Sequence, residues 1–437
     1  MNNSLPKVLI ISSVDPYKGP GIVGLNHYNS FIKGGIETDF LTKYPVEGHP
    51  EFLSVYDDKQ KKRTESIIIR SLNWIKRHFS NNILYKQVGD YKFFYEKEDA
   101  PPVPVQKVLE KITKQYDVIY VMFWQRMLSF ATIDALYEKL RCQIHFRCVD
   151  FSPMSGGCHF IGECKRYKCG CGFCPGIKSH SPNDFTRSNV EYREIIYKKV
   201  KPIVCGNTYM VSFFRESFLL KDYERCEIVY PLIDTETYKP LDIETCRNKY
   251  QIPKNKDFLL FFGSQKLDDE RKGVSYLLDS LKILYNKLSD EERNRILLVL
   301  AGRDIDSIKN ELCFDYIYLG YVNGKELPIV YSMSSIYLSP SVNDAGPSMV
   351  NQSMSCGTPV VAFDMGTAKD VIKGQGTGYC AKLRDSDDFA KGMKTIIDMP
   401  YEEYLNLRKK CRDVALKLTT QKAHVNSFLE IYNKYKF

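Results

Sequence analysis

Short runs of apolar residues alternate with longer stretches in which apolar positions recur at helical spacing, and this alternation continues along most of the chain. Strands buried on both faces of a parallel sheet read as continuous apolar runs, and the crossovers between them are helices. KVLIISSV (7–14), YDVIYVMFW (116–124) and CQIHFRCV (142–149) therefore predict strands of one sheet. FLLFFG (258–263), RILLVLAG (295–302), YIYLG (316–320), IYLSPS (336–341) and PVVAF (359–363) predict a second. The fold class expected is α/β with two Rossmann-like sheets.

Between the two series, EIVYPLIDTETYKP (227–240) runs a last strand into a connection containing Pro and Asp, and the domain boundary is placed there. The expected division is 1–233, 234–415 and a final segment 416–437. In that last segment Leu418, Val425, Phe428, Ile431, Tyr432 and Tyr435 follow a helical pattern suited to packing back on the first domain. A less regular insertion covers about 44–104 and carries Lys59, Lys61, Lys62 and Arg63.

A length of 437 residues agrees with two domains, and 43% hydrophobic with 26% charged residues is the composition of a water-soluble globular chain. The apolar run after Lys7 is too short for a secretory leader, and no run approaches the roughly 18 residues of a membrane span, so a cytoplasmic location is expected. The formal charge of +9 is uneven: residues 1–202 hold 30 Lys+Arg against 21 Asp+Glu, residues 203–437 hold 32 against 32. A basic first half is either a solvated face rich in lysine or a surface for an anionic partner, a phosphorylated acceptor or the inner face of a membrane. No aromatic-and-basic motif supports nucleic-acid binding.

The stretch IYLSPSVNDAGPSMVNQSMSCGTPVVAF (336–363) carries the most chemistry. A strand ends at Ser339, a loop holds Asp344 and Gly346, and Pro347 stands where a helix begins at Ser348 and Met349. Free N–H groups at such a helix start, with the helix dipole behind them, suit a diphosphate, although a capped helix between two strands accounts for the same residues. In FFGSQKLDDERKG (261–273), Lys266, Arg271 and Lys272 follow a strand end that carries Ser264.

These segments resemble the C-terminal hallmark of family 4 retaining glycosyltransferases. There a strand ending in Pro-Ser leads to an acid, a Gly-containing loop, a Glu eight positions on, and C-G-x-P-V-V. The acid falls on Asp344, Gln352 stands in the position of the Glu, and CGTPVV is intact from Cys356. The resemblance implies the GT-B fold: two Rossmann-like domains facing a central cleft, with a C-terminal helix returning to the first. It also implies a UDP- or GDP-sugar donor and a glycan or lipid-linked acceptor in the building of capsule, exopolysaccharide or O-antigen.

Asp344 would hold donor-sugar hydroxyls and Gln352 the ribose, through its amide. Lys272 would neutralise the diphosphate beside Gly346, Pro347, Ser348 and Met349, with Tyr321 and Val322 beside the base. Ser264 stands where the family has an Arg, so Arg271 or Lys266 would substitute. Transfer would proceed with retention, the departing diphosphate helping to take the acceptor's proton, and no metal is required for it. The altered positions leave open a non-catalytic relative that binds nucleotide or glycan.

In the first half, Gly19, Gly21 and Gly24 formally satisfy G-x-G-x-x-G, with Asp39 downstream, a weak dinucleotide signature in which Pro20 occupies the turn and which keeps an NAD-dependent oxidoreductase as the lesser alternative. In the resembling enzymes the loop at Gly21 approaches donor phosphate and acceptor. VDFSPMSGGCHFIGECKRYKCGCGFCPGIKS (149–179) resembles an insertion of one branch of that family, which reads H-D-x-W-x-x-T-G-G-C-H; Val149 replaces the His and Ser152 the Trp. Asp150 remains as a candidate catalytic contact. Cys158, Cys164, Cys171 and Cys174 are spaced C-x5-C-x6-C-x2-C, enough thiolates for one tetrahedral structural zinc, with a buried thiol cluster or a redox role as the alternatives.

Overall fold

The computed structural model describes residues 5–60, 93–94 and 96–436; Lys61, Lys62 and Arg63 of the basic insertion lie outside them. Two compact units divide the chain. The first comprises 1–206, 210–229 and 425–437, and the second 207–209 and 230–424.

The first unit is built on a parallel sheet of seven strands: β1 (Val8–Ser12), β2 (Thr38–Thr42), β3 (Leu53–Ser54), β4 (Val118–Val121), β5 (Gln143–Arg147), β6 (Ile203–Gly206) and β7 (Cys226–Ile228). Their spatial order is β3-β2-β1-β4-β5-β6-β7, so the winding reverses between β1 and β4. Val8 and Ile10 of β1 meet Phe31, Phe40 and Tyr120 in one core, which Val425, Phe428 and Tyr432 of the last helix complete. The Phe31 and Phe428 rings lie 4.6 Å apart, and the Tyr432 carbonyl accepts a hydrogen bond from Gln143 Nε2 at 3.0 Å.

The pattern expected over 416–437 is one helix; the chain forms two, Tyr401–Leu418 and Gln421–Lys434. The Thr419 hydroxyl bonds back to the Ala415 carbonyl at 2.8 Å, and the Thr420 hydroxyl accepts from Ala423 N–H at 3.2 Å. Hydroxyl side chains that compete for backbone groups end one helix and start the next, without a Gly or Pro to mark the break.

The second unit contains β8 (Phe258–Lys266), β9 (Ile296–Arg303), β10 (Tyr316–Tyr318), β11 (Ile336–Ser339), β12 (Val360–Phe363) and β13 (Gly378–Ala381), all parallel, in the order β10-β9-β8-β11-β12-β13. Successive residues of β8 point to opposite faces. Leu260 and Phe262 join the core under the helices Val274–Asn286 and Ser386–Ile397. Leu259 and Phe261 join the one under Leu327–Met333, Ser348–Ser355 and Tyr401–Leu418. Burial on both faces is why these strands read as unbroken apolar runs. The winding reverses between β8 and β11. Among the described residues no helix is long and apolar enough to cross a membrane.

Candidate functional site

In open parallel sheets ligands bind beyond the carboxyl ends of the strands, where the winding reverses. In the second unit that point lies between the loops following β8 and β11. The Arg271 carbonyl accepts hydrogen bonds from the N–H groups of Val342 (2.9 Å) and Asn343 (3.2 Å), tying the two loops together. A Cβ on Gly273, whose φ is +68°, would overlap the Pro340 carbonyl, so this approach requires glycine.

Across the same gap Lys272 Nζ meets Asp344 Oδ2 at 2.6 Å, and Asp344 Oδ1 accepts Gly346 N–H at 3.1 Å. Burial alone would raise the Asp344 carboxyl. The charge and hydrogen bond of Lys272, the Gly346 N–H and the nearby Arg271 outweigh it and hold the group below its ordinary value. Arg271 is paired with Asp269 at 2.6 Å and only 13% exposed, while Lys266 reaches out to Asp304 at 3.4 Å. Two cations, Arg271 and Lys272, thus stand at the switch point.

The helix Ser348–Ser355 begins at the end of the same loop. Pro347 is its N-cap and no side chain caps its first N–H groups. Met349 lies over Gly263 of β8, and the Asn207 amide fixes the loop by donating to the Ala345 carbonyl at 2.8 Å. One turn along, Gln352 Oε1 accepts the Tyr331 hydroxyl at 3.1 Å, so what the amide has left to offer a ligand is chiefly its NH2. The Ser264 hydroxyl is buried without a hydrogen-bond partner among the described residues. Tyr321 is 60% exposed beneath the Arg303 guanidinium, 5.5 Å from its ring, whereas Val322 is packed against the core.

Lys272, Arg271, Asp344, Gly346, Pro347, Ser348 and Met349 are therefore brought together around one switch point, with Ser264, Gln352 and Tyr321 on adjoining strand ends and helix. Asn207, Tyr331 and Arg303 join them without having been legible as site residues. The nearness of Asn207 depends on a three-residue excursion of the chain, 207–209, into the second unit.

Gly21, Asp150 and the cysteines belong to the first unit. Gly21 closes a 3-10 turn, Gly19–Gly21, ahead of the helix Ile22–Lys33, and a Cβ there would overlap the Asp15 carbonyl. Asp150 is 2% exposed. Its Oδ1 accepts Ser152 N–H (2.9 Å) and Ser152 Oγ (2.5 Å), and its Oδ2 meets Gln125 Nε2 (3.0 Å) and His159 Nδ1 (2.9 Å). Both oxygens are thus engaged within this network. Val149, in the place of the family's His, is half-buried against the core.

Cys158, Cys164, Cys171 and Cys174 lie in one another's field; burial first, and then the three neighbouring thiols, push Cys158 well above its ordinary value. Gly156 N–H points at Cys171 Sγ (3.3 Å) and Arg166 N–H at Cys164 Sγ (3.4 Å). The donor set suits a soft cation in kind. In arrangement, no group of three or more His, Cys, Asp or Glu among the described residues is placed to hold a metal ion.

Residues 242–417 match the family model of glycosyl transferases group 1. A protein of the cps region of Klebsiella pneumoniae, itself uncharacterized, is 23% identical over 244 residues, 55% of this chain and 63% of that one. The O-antigen chain mannosyltransferase B of Escherichia coli is 23% identical over 232 residues, 44% of this chain and 58% of that one. Each match covers less than two thirds of the relative's own length. Among solved structures, Anabaena HepE in complex with UDP superposes with a TM-score of 0.64 at 13% identity, over 98% of this chain and 100% of the other. Sucrose-phosphate synthase of Thermosynechococcus elongatus gives 0.62 at 15% identity, over 98% of both. The fold is GT-B.

Proposed function

We propose that the chain is a glycosyltransferase that moves a sugar from a nucleoside-diphosphate donor to a hydroxyl of a glycan or lipid-linked acceptor, with retention, in the assembly of a surface polysaccharide. The observation that carries it is the pairing of Lys272 with Asp344 across the switch point, beside a helix start that no side chain caps. Positive charge aimed at a departing phosphate is the chief electrostatic contribution such a reaction asks of a protein. A diphosphate competes with Asp344 for Lys272, and the displaced carboxylate becomes an acceptor for sugar hydroxyls. The Gln352 amide then donates to the ribose, where a carboxylate would accept from it.

UDP is the favoured nucleotide, because HepE was crystallised with UDP and with UDP-glucose; the cps and O-antigen relatives favour the polysaccharide role. The chemistry proposed draws on no metal. Zinc, if held by the four thiols, clamps the segment 158–174, and elemental analysis of protein purified without chelator tests this: less than one equivalent removes the clamp. An anionic membrane surface is the partner proposed for the excess charge of residues 1–202, tested by sedimentation with vesicles with and without anionic lipid.

The deciding experiment is a thermal-shift screen against UDP- and GDP-sugars, followed by measurement of nucleotide release. Stabilisation with release supports the transferase. Ser264 and Gln352, at positions where the family carries Arg and Glu, favour a second reading as a non-catalytic binder, and stabilisation without release under any condition would establish that instead.

A further inference from the structure

The peptide between Ala345 and Gly346 is held at both of its polar groups. Its carbonyl accepts from Asn207 Nδ2 at 2.8 Å, and its N–H donates to Asp344 Oδ1 at 3.1 Å. A backbone carbonyl only accepts, so the NH2 of the Asn207 amide is the group that must face it. In a planar trans peptide C=O and N–H point in opposite directions, so fixing the carbonyl aims the N–H. The Asp344 carboxylate is then held at two points, by Gly346 N–H on Oδ1 and by Lys272 Nζ on Oδ2 at 2.6 Å.

Asn207 follows β6 directly, and with Thr208 and Tyr209 it belongs to the second unit, where each of the three is anchored. Thr208 N–H donates to Asp370 Oδ2 at 3.3 Å, in the turn Lys369–Lys373 after β12. The Tyr209 ring packs on the core of Leu260 and Phe262, with Lys369 Nζ 5.6 Å from its centre. Asn207 itself is only 5% exposed. Its fit against the loop is close, since a Cβ on Gly346 would stand 2.8 Å from Asn207 Nδ2 and 3.0 Å from Thr367 Cγ2. Glycine admits the amide to this peptide, and glycine also leaves the backbone free to turn over once the amide is gone.

Turned over, the peptide would present its carbonyl to Asp344 in place of its N–H. That N–H is one of the groups that favour the charged carboxylate, together with Lys272 and Arg271 from the loop after β8. Tyr337 of β11 and Tyr209 also lie in the field of Asp344.

We propose that Asn207 is a positioning residue of the donor site: by holding the Ala345 carbonyl it sets the Ala345–Gly346 peptide, and through Gly346 N–H the carboxylate that Asp344 offers to a sugar hydroxyl. The sugar as the ligand of Asp344 rests on the transferase reading; the setting of peptide and carboxylate does not.

The test compares full-length wild type, Asn207→Ala and Asn207→Leu, the last keeping most of the side-chain volume without a donor. Aspartate carboxyl carbons are labelled with 13C, and the Asp344 signal is assigned by its loss in Asp344→Asn. Asp344 should titrate at higher pH in both Asn207 variants, because a hydrogen bond to its charged form is lost. Calorimetry with UDP, UDP-glucose, UDP-galactose and UDP-N-acetylglucosamine gives the second readout. For a UDP-sugar that wild type binds, affinity should fall by about five- to tenfold, the scale of one lost hydrogen bond, and that for UDP by less than about twofold. A merely structural role would weaken both ligands alike. An unchanged Asp344 titration in a folded variant overturns the proposal, and so does an equal loss of UDP and UDP-sugar. Failure of wild type to bind any of the four nucleotides removes the transferase reading and leaves the carboxyl titration to decide the positioning role alone.

Discussion

Each sheet reverses its winding at one pair of neighbouring strands, β1 and β4 in the first unit, β8 and β11 in the second. The residues furnishing the loops there differ in kind. The second unit sets Arg271 and Lys272 opposite a single carboxylate beside an uncapped helix start, an arrangement for an anion. In the first unit Glu98 and Arg193 are spent on one another in a buried pair, and Asp150 is spent on Gln125, Ser152 and His159. One backbone plan thus carries a partly exposed charged pair in one unit and a closed polar network in the other.

The contrast is broken most severely by removing one partner of the buried pair. Arg193→Met leaves Glu98 charged and unpaired, and should cost the first unit about 3–5 kcal/mol, read as a lower urea midpoint; breaking the more exposed pair of Lys272 and Asp344 should cost less. Next in size, Lys272→Ala should lower nucleotide release from the donor by about 100- to 1000-fold in steady-state assays, with a smaller loss of stability than Arg193→Met. If the two variants exchange these signatures, the division of labour is wrong.

A smaller effect follows from the depressed carboxyl of Asp344. A group whose folded pKa lies below its unfolded value of about 3.9 contributes stability that is present above that value and lost as pH falls through the folded one. Wild type should therefore lose stability faster than Asp344→Asn below about pH 4, and the two curves should run parallel near neutrality; acid titration followed by fluorescence checks it. Smallest of all, Tyr331→Phe removes the hydrogen bond that orients Gln352 and should weaken UDP by about two- to fivefold, within the range of one neutral hydrogen bond, measured by calorimetry.

The strands were legible because two-sided burial leaves uninterrupted apolar runs; β8 opens with such a run, 258–262, and β9 with another, 296–301. β3, with two residues, carries too little pattern to stand out. The phosphate-side residues were legible as types in a loop between strand and helix. Their partners were not: Lys272 and Asp344 are 72 positions apart, Glu98 and Arg193 are 95, and no local periodicity encodes a contact that only sheet order creates. His159 was visible as a letter in a motif, but its contact with Asp150 depends on a loop clamped from a helix farther along the chain.

The helix Gln421–Lys434 bears on how the molecule is made. Val425, Phe428 and Tyr432 complete the core that Val8 and Ile10 begin. A chain emerging from the ribosome therefore has all of β8 to β13 available before the first sheet can close its apolar face, so the second unit is free to mature while the first waits. Nascent chains halted before residue 425 should leave that face open to chaperones, and fragments ending at 229 should aggregate unless the terminal helix is supplied as a separate peptide.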